Sequence, residues 1–339
     1  MNELDVVVEC GKMAIVGVAK NCGKTTTLNR LLQHRKARGL SPPALLSTGI
    51  DGEAEDLLIG TQKPPIAVCR GQWLVSAEQA IQRSSAHVEY VRDLGFTTPM
   101  GRVLVCRVLD EGHAILAGLR HRGEIVTAVK ALKSLGSDSI WVDGAYGRVV
   151  GAHPDVSDAV VVATGAQVGG DVASVVERTR GLISRLVLEA VDATTQREAI
   201  ACAIEKGRVV LLDQERGVQP LPVESAVVGL HRIDEYWTQS VEAIAIPGLV
   251  SDRVAEQLLA IADDRRRTLL VADGTAFHTE DRLWRRLQKR WTIRALRCVD
   301  LAAISYNPSA LDGGGLEPQS LALGLRAMAP GVPVFDPLQ

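Results

Sequence analysis

Aromatic residues are scarce in this chain. They make up 4% of its 339 residues, although 46% of the residues are hydrophobic. A core must therefore be built from Val, Leu, Ile and Ala. That suits α/β folds, in which strands buried on both faces read as short aliphatic runs. A dominant charge is missing too: the net charge is −2, which gives no global pull toward nucleic acid or anionic membrane. No apolar run approaches the ~20 residues of a membrane-spanning helix. The start, Met1-Asn2-Glu3-Leu4-Asp5, lacks a basic region followed by an apolar one, so no secretory signal is expected. The six cysteines, at 10, 22, 69, 106, 202 and 298, form no Cys-x-x-Cys pair. Together these absences predict a soluble cytoplasmic protein with reduced thiols and no membrane partner. The seven histidines show no metal-ligand spacing and are expected mostly on the surface or in loops. A Gly-x-Ser-x-Gly elbow and a recognisable nucleophile–base pair are also absent.

What is present is an alternation of aliphatic runs and helical spacings. Residues 12–16 predict a strand, and 25–36 a helix with Leu28, Leu31 and Leu32 on one face. Residues 44–48 and 66–69 read as strands and 76–82 as a short helix. The runs 103–109 and 114–117 read as a hairpin through Asp110-Glu111-Gly112. Ile125, Val129, Leu132 and Leu135 mark a helix, 139–142 and 159–163 two strands, and 170–191 a longer helix. A polar stretch at 192–198 suggests a boundary, giving a nucleotide-binding domain over 1–194 and a second α/β region over 195–339 for a partner or substrate. Strands are expected there at 209–212, 242–246, 269–272, 301–305 and 332–335, and helices at 251–261, 280–290 and 318–328. The fold class is thus α/β, of P-loop NTPase type, with a mostly parallel sheet flanked by helices.

The most informative stretch is Gly17-Val18-Ala19-Lys20-Asn21-Cys22-Gly23-Lys24-Thr25-Thr26, between the first strand and the first helix. Backbone N–H groups of such a loop and helix start can cradle phosphate oxygens. Glycine lets the backbone approach without a Cβ clash. Lys24, also a candidate catalytic residue, would place its ammonium on the β- and γ-phosphates, and Thr25 its hydroxyl on Mg²⁺. Lys20, Asn21, Cys22, Gly23, Lys24, Thr25 and Thr26 are the expected nucleotide contacts. The usual spacing is Gly-x4-Gly-Lys-[Ser/Thr], but here five residues separate Gly17 from Gly23, so Val18 takes the first-glycine position. The bland alternative is a strand-turn-helix corner with an incidental Gly-Lys-Thr. Cys22 either fills a tight turn or is redox-sensitive.

A bound triphosphate needs a carboxylate for its metal. Ser139-Ile140-Trp141-Val142-Asp143-Gly144 resembles a Walker B segment, with Asp143 as metal candidate; a turn-capping Asp is the alternative. Asp51, just past the second strand, is a second metal candidate and a catalytic one, against an ordinary turn role. The guanine-reading tetrad Asn-Lys-x-Asp is absent, which favours ATP over GTP.

The loop and Asp51 together resemble the SIMIBI class of P-loop proteins, which includes dethiobiotin synthetases, MinD- and ArsA-like ATPases and metallochaperone NTPases. In many of those an Asp just past the second strand contacts Mg²⁺ or positions the attacking water. Lys20 resembles the extra lysine of deviant loops in that class, but those place it one position earlier relative to Gly-Lys-Thr. A role reaching a partner's phosphate therefore does not carry over, and a solvated loop lysine is the alternative. More narrowly, residues 17–29, 47–53, 142–145, 306–309 and 333–336 are similar to the KamB-type subunits that reactivate lysine 5,6-aminomutase, an adenosylcobalamin enzyme of lysine degradation. These segments are spread over nearly the whole chain. The resemblance implies a chaperone-like ATPase whose nucleotide state switches its affinity for the aminomutase or for a second ATPase subunit. A cobalamin-binding Asp-x-His-x-x-Gly motif is absent, in keeping with a role exercised on a partner.

Two other readings stay open. One is an ATP-dependent ligase or kinase of dethiobiotin-synthetase type, acting on a small carboxylate or amine. The other is a nucleotide-sensing module without significant turnover. A homo-oligomer is compatible with any of the three. Asn307 and Asp312, in the glycine-rich segment 307–315, are second-site candidates because loops at strand carboxyl ends often bind ligands; a plain connection is the alternative. Residues 265–297 carry ten Lys/Arg against three acids, with Trp284 and Trp291 interleaved. This reads either as a basic surface for an acidic protein or, less favoured, nucleic acid, or as a solvated helix packed through Trp and Leu287.

Overall fold

The aliphatic run that opens the chain becomes the centre of a sheet. A computed structural model describes residues 3–49, 65–144, 149–222, 226, 230–311 and 313–339, with the backbone of 55–56 and 61–62. Asp51 and Asp312 lie outside the described residues. By its contacts the chain divides into two units, Met1–Arg180 with Asp300–Gln339, and Gly181–Val299.

The first unit is built on β1 (Lys12–Gly17), β2 (Ala44–Ser47), β3 (Trp73–Ala77), β4 (Val88–Thr98), β5 (Gly101–Val108), β6 (Ile140–Asp143) and β7 (Ala159–Gly165). The second contributes β8 (Val210–Asp213), β9 (Gly217–Pro220), β10 (Val241–Ala245), β11 (Arg267–Val271) and β12 (Trp291–Ala295). The chain then returns to the first unit with β13 (Asp300–Asn307) and β14 (Val334–Phe335). The nine-stranded sheet runs β14-β13-β7-β1-β6-β2-β3-β5-β4. Neighbours are parallel from β14 to β3, and β5 and β4 close the edge antiparallel. The helices of this unit are α1 (Leu4–Val8), α2 (Lys24–Ala37), α3 (Glu78–Gln82), α4 (Arg122–Ser134) and α5 (Val172–Leu186), within which the chain leaves it.

Side-chain alternation gives the sheet two covered faces. Met13 and Ile15 of β1 pack with Leu4 and Val7 of α1 and with Leu28 and Leu31 of α2. Ala14 points the other way, where the Cβ position of Gly151 lies 3.6 Å from the Ala14 methyl. Arg35, buried at the last turn of α2, lies over the ring of buried Trp141, 5.6 Å from its centroid.

The second unit, a five-stranded sheet in the order β9-β8-β10-β11-β12, repeats this logic. Val210, Leu212, Ala243, Ala245 and Leu270 pack with Ala199, Ile200 and Ala203 of α6 (Thr194–Lys206). Leu211, Ile244, Leu269 and Ile293 face α7 (Asp252–Ala260) and α8 (Asp281–Arg290). The indole N–H of Trp284 on α8 donates to Ser184 Oγ, 2.8 Å away, and its ring meets Phe277 edge-on at 4.7 Å. The last helix, α9 (Pro318–Met328), belongs to the first unit. Among the described residues no helix is long and apolar enough to cross a membrane.

Four sequence expectations are corrected. The 103–117 hairpin does not form: β5 pairs with β4 through the turn at Thr98–Gly101, and Gly112–Ala114 pairs with Ile66–Val68. Residues 76–77 end strand β3 instead of starting a helix, and the helix expected to 191 stops at Leu186. The boundary placed in the polar stretch 192–198 falls on the start of helix α6, which begins at Thr194. The division drawn at 194/195 moves to 180/181 and 299/300, because β13 hydrogen-bonds to β7 and so returns the C-terminal 40 or so residues to the first unit.

Replacing Trp284, which is fully buried, with Ala is expected to lower the unfolding free energy by about 3–5 kcal/mol. Urea denaturation followed by far-ultraviolet circular dichroism checks this; a loss under about 1 kcal/mol contradicts the packing described.

Candidate functional site

The parallel ladder brings the carboxyl ends of β1, β7 and β13 together. Gly17 pairs with Ala163, and Ala163 with Ser305, in one row across the three strands. Small residues in this row leave room for the first turn of α2. There Thr27 and Ser305, both buried, share a hydroxyl–hydroxyl bond of 2.6 Å, and the Thr27 hydroxyl also lies 2.9 Å from the Gly23 carbonyl. Helix α2 is thus fastened at its start to the sheet beneath it.

Between Gly17 and the helix, the Val18 N–H donates to Ala163 O at 3.0 Å, anchoring the start of the loop to β7. Asn21 is the one non-glycine residue with positive φ among the described residues, at 57°. Asn tolerates the left-handed region better than most residues, and such outliers concentrate at functional sites. Gly23, with φ 91°, is the N-cap of α2 and has no side chain to offer. Cys22 is buried, and its Sγ donates to the Ala19 carbonyl at 3.0 Å, closing the turn from inside. That is the turn-filling alternative of the two weighed for this residue. Lys20 is exposed and Thr25 and Thr26 are half-buried.

Lys24 folds back along the loop. A Cβ built on Gly17 would lie 2.7 Å from Cys22 Sγ and 3.0 Å from Lys24 Nζ. No carboxylate pairs with Lys24 among the described residues. The N–H groups of Lys24, Thr25 and Thr26 lie ahead of the first intrahelical bond, from Thr27 N to Gly23 O at 2.8 Å. The neighbouring helix start differs: α5 is capped by Asp171, which accepts from the Ser174 N–H at 2.8 Å and from its hydroxyl at 2.9 Å. Those bonds hold the Asp171 carboxyl below the usual range. One helix start at this end of the sheet is self-capped and the other is not.

Asp143 ends β6, beside Ile15 of β1 and Ser47 of β2 in the register. The chain passes tightly there, since a Cβ on Gly144 would stand 2.5 Å from the Ile15 carbonyl. Asp143 therefore faces the same end of the sheet as the loop, one strand over.

Asn307, at the end of β13, reaches the loop: its Cβ lies 3.7 Å from the Cβ position of Gly23. Its amide oxygen accepts from the Ser309 N–H at 3.0 Å. The Leu311 N–H donates to Gln167 Oε1 at 3.0 Å, tying the segment after β13 to the turn after β7. Sequence reasoning missed Ser305, Gln167 and Asp171. An Asp-x-x-Ser pattern before a helix was the legible signal for Asp171; the other two are set by tertiary pairing. Among the described residues no group of His, Cys, Asp and Glu is arranged to hold a metal ion by itself.

Burial separates the thiols. Cys22 and Cys106 are covered, and burial pushes the Cys106 thiol up to about 12. Iodoacetamide at pH 8 is expected to label Cys202 and Cys298 well before Cys22 and Cys106, as read by peptide mass mapping. Early labelling of Cys22 would restore the redox-sensitive alternative.

Comparison of the chain with models of known protein families, with curated proteins and with solved structures finds no match.

Proposed function

We propose that this chain binds ATP with Mg²⁺ through the loop at 17–26 and hydrolyses it. The observation that carries the reading is the uncapped start of α2, with Lys24 folded over it. A triphosphate would supply acceptors for the N–H groups of residues 24–26 and negative charge for Lys24 and the helix N-terminus. The place is favourable as well. The connection after β1 leads to β2 on one side, while the connection after β7 leads toward β13 on the other. Ligands of open α/β sheets bind where connections diverge in this way. Thr25, at the second position of α2, is the proposed hydroxyl ligand of Mg²⁺, with Asp143 and Asp51 as the carboxylates of its surroundings. Mg²⁺, when bound, neutralises phosphate charge. Lys20, Asn21, Cys22, Gly23 and Thr26 are the proposed remaining contacts, mostly through their backbone.

The proposed use of this turnover is chaperone-like: a reactivase subunit acting on an adenosylcobalamin-dependent aminomutase. Support for it comes from the similarity of the five segments described above and from the presence of a second α/β unit available to a partner. One observation favours a ligase or kinase instead. An open groove of about 520 Å³, lined by Tyr306, Glu317, Gln319, Leu323, Arg326 and Gln339, adjoins the end of β13 and is large enough for a small metabolite.

Lys24→Ala is expected to weaken Mg·ATP binding by about 10- to 150-fold, the equivalent of losing a charge-assisted hydrogen bond. Isothermal titration checks it, and unchanged affinity removes the proposal. Asp143→Asn should lower Mg²⁺-dependent binding or hydrolysis more than Asp51→Asn lowers binding. Slow hydrolysis that rises on adding an adenosylcobalamin aminomutase supports the reactivase role. ADP release driven by a metabolite alone would replace it with the ligase or kinase.

A further inference from the structure

The second unit carries 17 Lys/Arg and 17 Asp/Glu, yet ten of the cations fall in residues 265–297 beside only three acids. The fold uses several of them internally. Arg267 pairs with Asp263 at 2.7 Å. Arg290 donates to the carbonyls of Arg265, Ile261 and Asp263, and Arg266 to those of Gln288 and Trp291. These bonds fasten the last turn of α8 to the chain before β11.

The outer face of α8 carries a row of cations. Leu283, Trp284 and Leu287 are buried on its inner face, while Arg282, Arg285, Arg286 and Lys289 are exposed. Their spacing of three and four residues puts them on one stripe. Among the described residues Arg282, Arg286 and Lys289 pair with no carboxylate. Like charges at these spacings destabilise a helix, and a cation in the first turn, where Arg282 sits, opposes the helix dipole. The one acid of the helix, Asp281, is paired with Arg185. Among the described residues no carboxylate offsets that repulsion at Arg282, Arg286 and Lys289.

We propose that this face of α8 docks an acidic protein surface, with Asp or Glu side chains in a row about 10 Å long, the length of seven residues of helix. Charge complementarity selects an anion, and two observations select protein over nucleic acid. Phe277, Trp284 and Trp291, the Phe and Trp side chains of the segment, are buried and offer no stacking platform. The unit is neutral overall, where nucleic-acid modules are strongly basic. The inference does not rest on the nucleotide reading.

The probe is a synthetic helical peptide of about 20 residues with Glu on one face at matching spacing, titrated against the full-length chain by fluorescence anisotropy. Binding is expected to weaken about tenfold or more as salt rises from low to physiological concentration. The variant Arg282→Glu/Arg286→Glu/Lys289→Glu, with unchanged circular dichroism, should lose about tenfold or more in affinity. A second peptide with Lys in place of Glu should bind that variant and not the natural chain. Equal binding of the Glu peptide by both chains overturns the proposal. So does tighter binding of a 20-bp DNA duplex than of the peptide at the same salt. Salt-sensitive self-association abolished by the same variant, seen by sedimentation velocity, would assign the face to a second copy instead. Lys24→Ala should leave peptide binding unchanged.

Discussion

β1 is hydrogen-bonded on both sides by parallel strands, β6 and β7. Parallel neighbours cannot be joined by tight hairpins; each needs a crossover, and crossovers place all the strand carboxyl ends along one edge. Everything proposed for the first unit depends on that constraint. It puts the turn after β1, the turn after β7, the end of β13 and Asp143 of β6 on one side of the sheet. It also buries β1 on both faces, so the loop that follows springs from a strand whose residues 13–16 are all buried. A backbone cradle for an anion gains from such a base, because its N–H groups are already oriented before a ligand arrives.

The loop is shaped by what lies beneath it. The row Gly17, Ala163, Ser305 is short in side chain, and the Thr27 hydroxyl fills the space above it. Leaving one of those buried hydroxyls without its partner would cost about 1–3 kcal/mol, so the row resists both enlargement and apolar replacement. Gly165 shows the same pressure: a Cβ there would fall 2.0 Å from the Asn307 carbonyl. Close packing under the loop and a helix start without a side-chain cap above it are two sides of one arrangement.

The sequence was most readable where one physical signal acted alone. β1 and α2 carry uninterrupted aliphatic and helical patterns, and both fall within a residue or so of expectation. The loop between them falls where the sequence places it, between the end of β1 and the start of α2. β4 was illegible, because it is an edge strand with most of Val88–Thr98 exposed and two register shifts; with one face in water and bulges breaking the alternation, no period survives. α6 was misread because its N-terminal residues are polar and its buried face is made of Ala199, Ile200 and Ala203, a weak stripe by hydropathy. The return of 300–339 to the first sheet could not be read at all. It follows from which strand β13 pairs with, and parallel pairing leaves no local mark in the chain.

That return bears on how a nucleotide could affect a partner. The second unit is an insertion in the connection between β7 and β13, which are adjacent in the sheet. Both strands end at the loop: Val18 is bonded to β7, and Asn307 closes β13 beside Gly23. The covalent path to the second unit therefore leaves through α5 and re-enters at Asp300, the amino end of β13, the strand whose carboxyl end lies beside the loop. A ligand shifts a conformational equilibrium only by the difference in its affinity for the two states. For a switch of the proposed kind, that difference must arise from contacts such as those of Lys24 or Asn307, which are within reach of the loop. A ligand confined to the groove along α9 would contact neither the loop nor α5, and would favour chemistry on a metabolite over communication with a partner. Where the bound nucleotide makes its discriminating contacts is thus the physical question that separates the two readings.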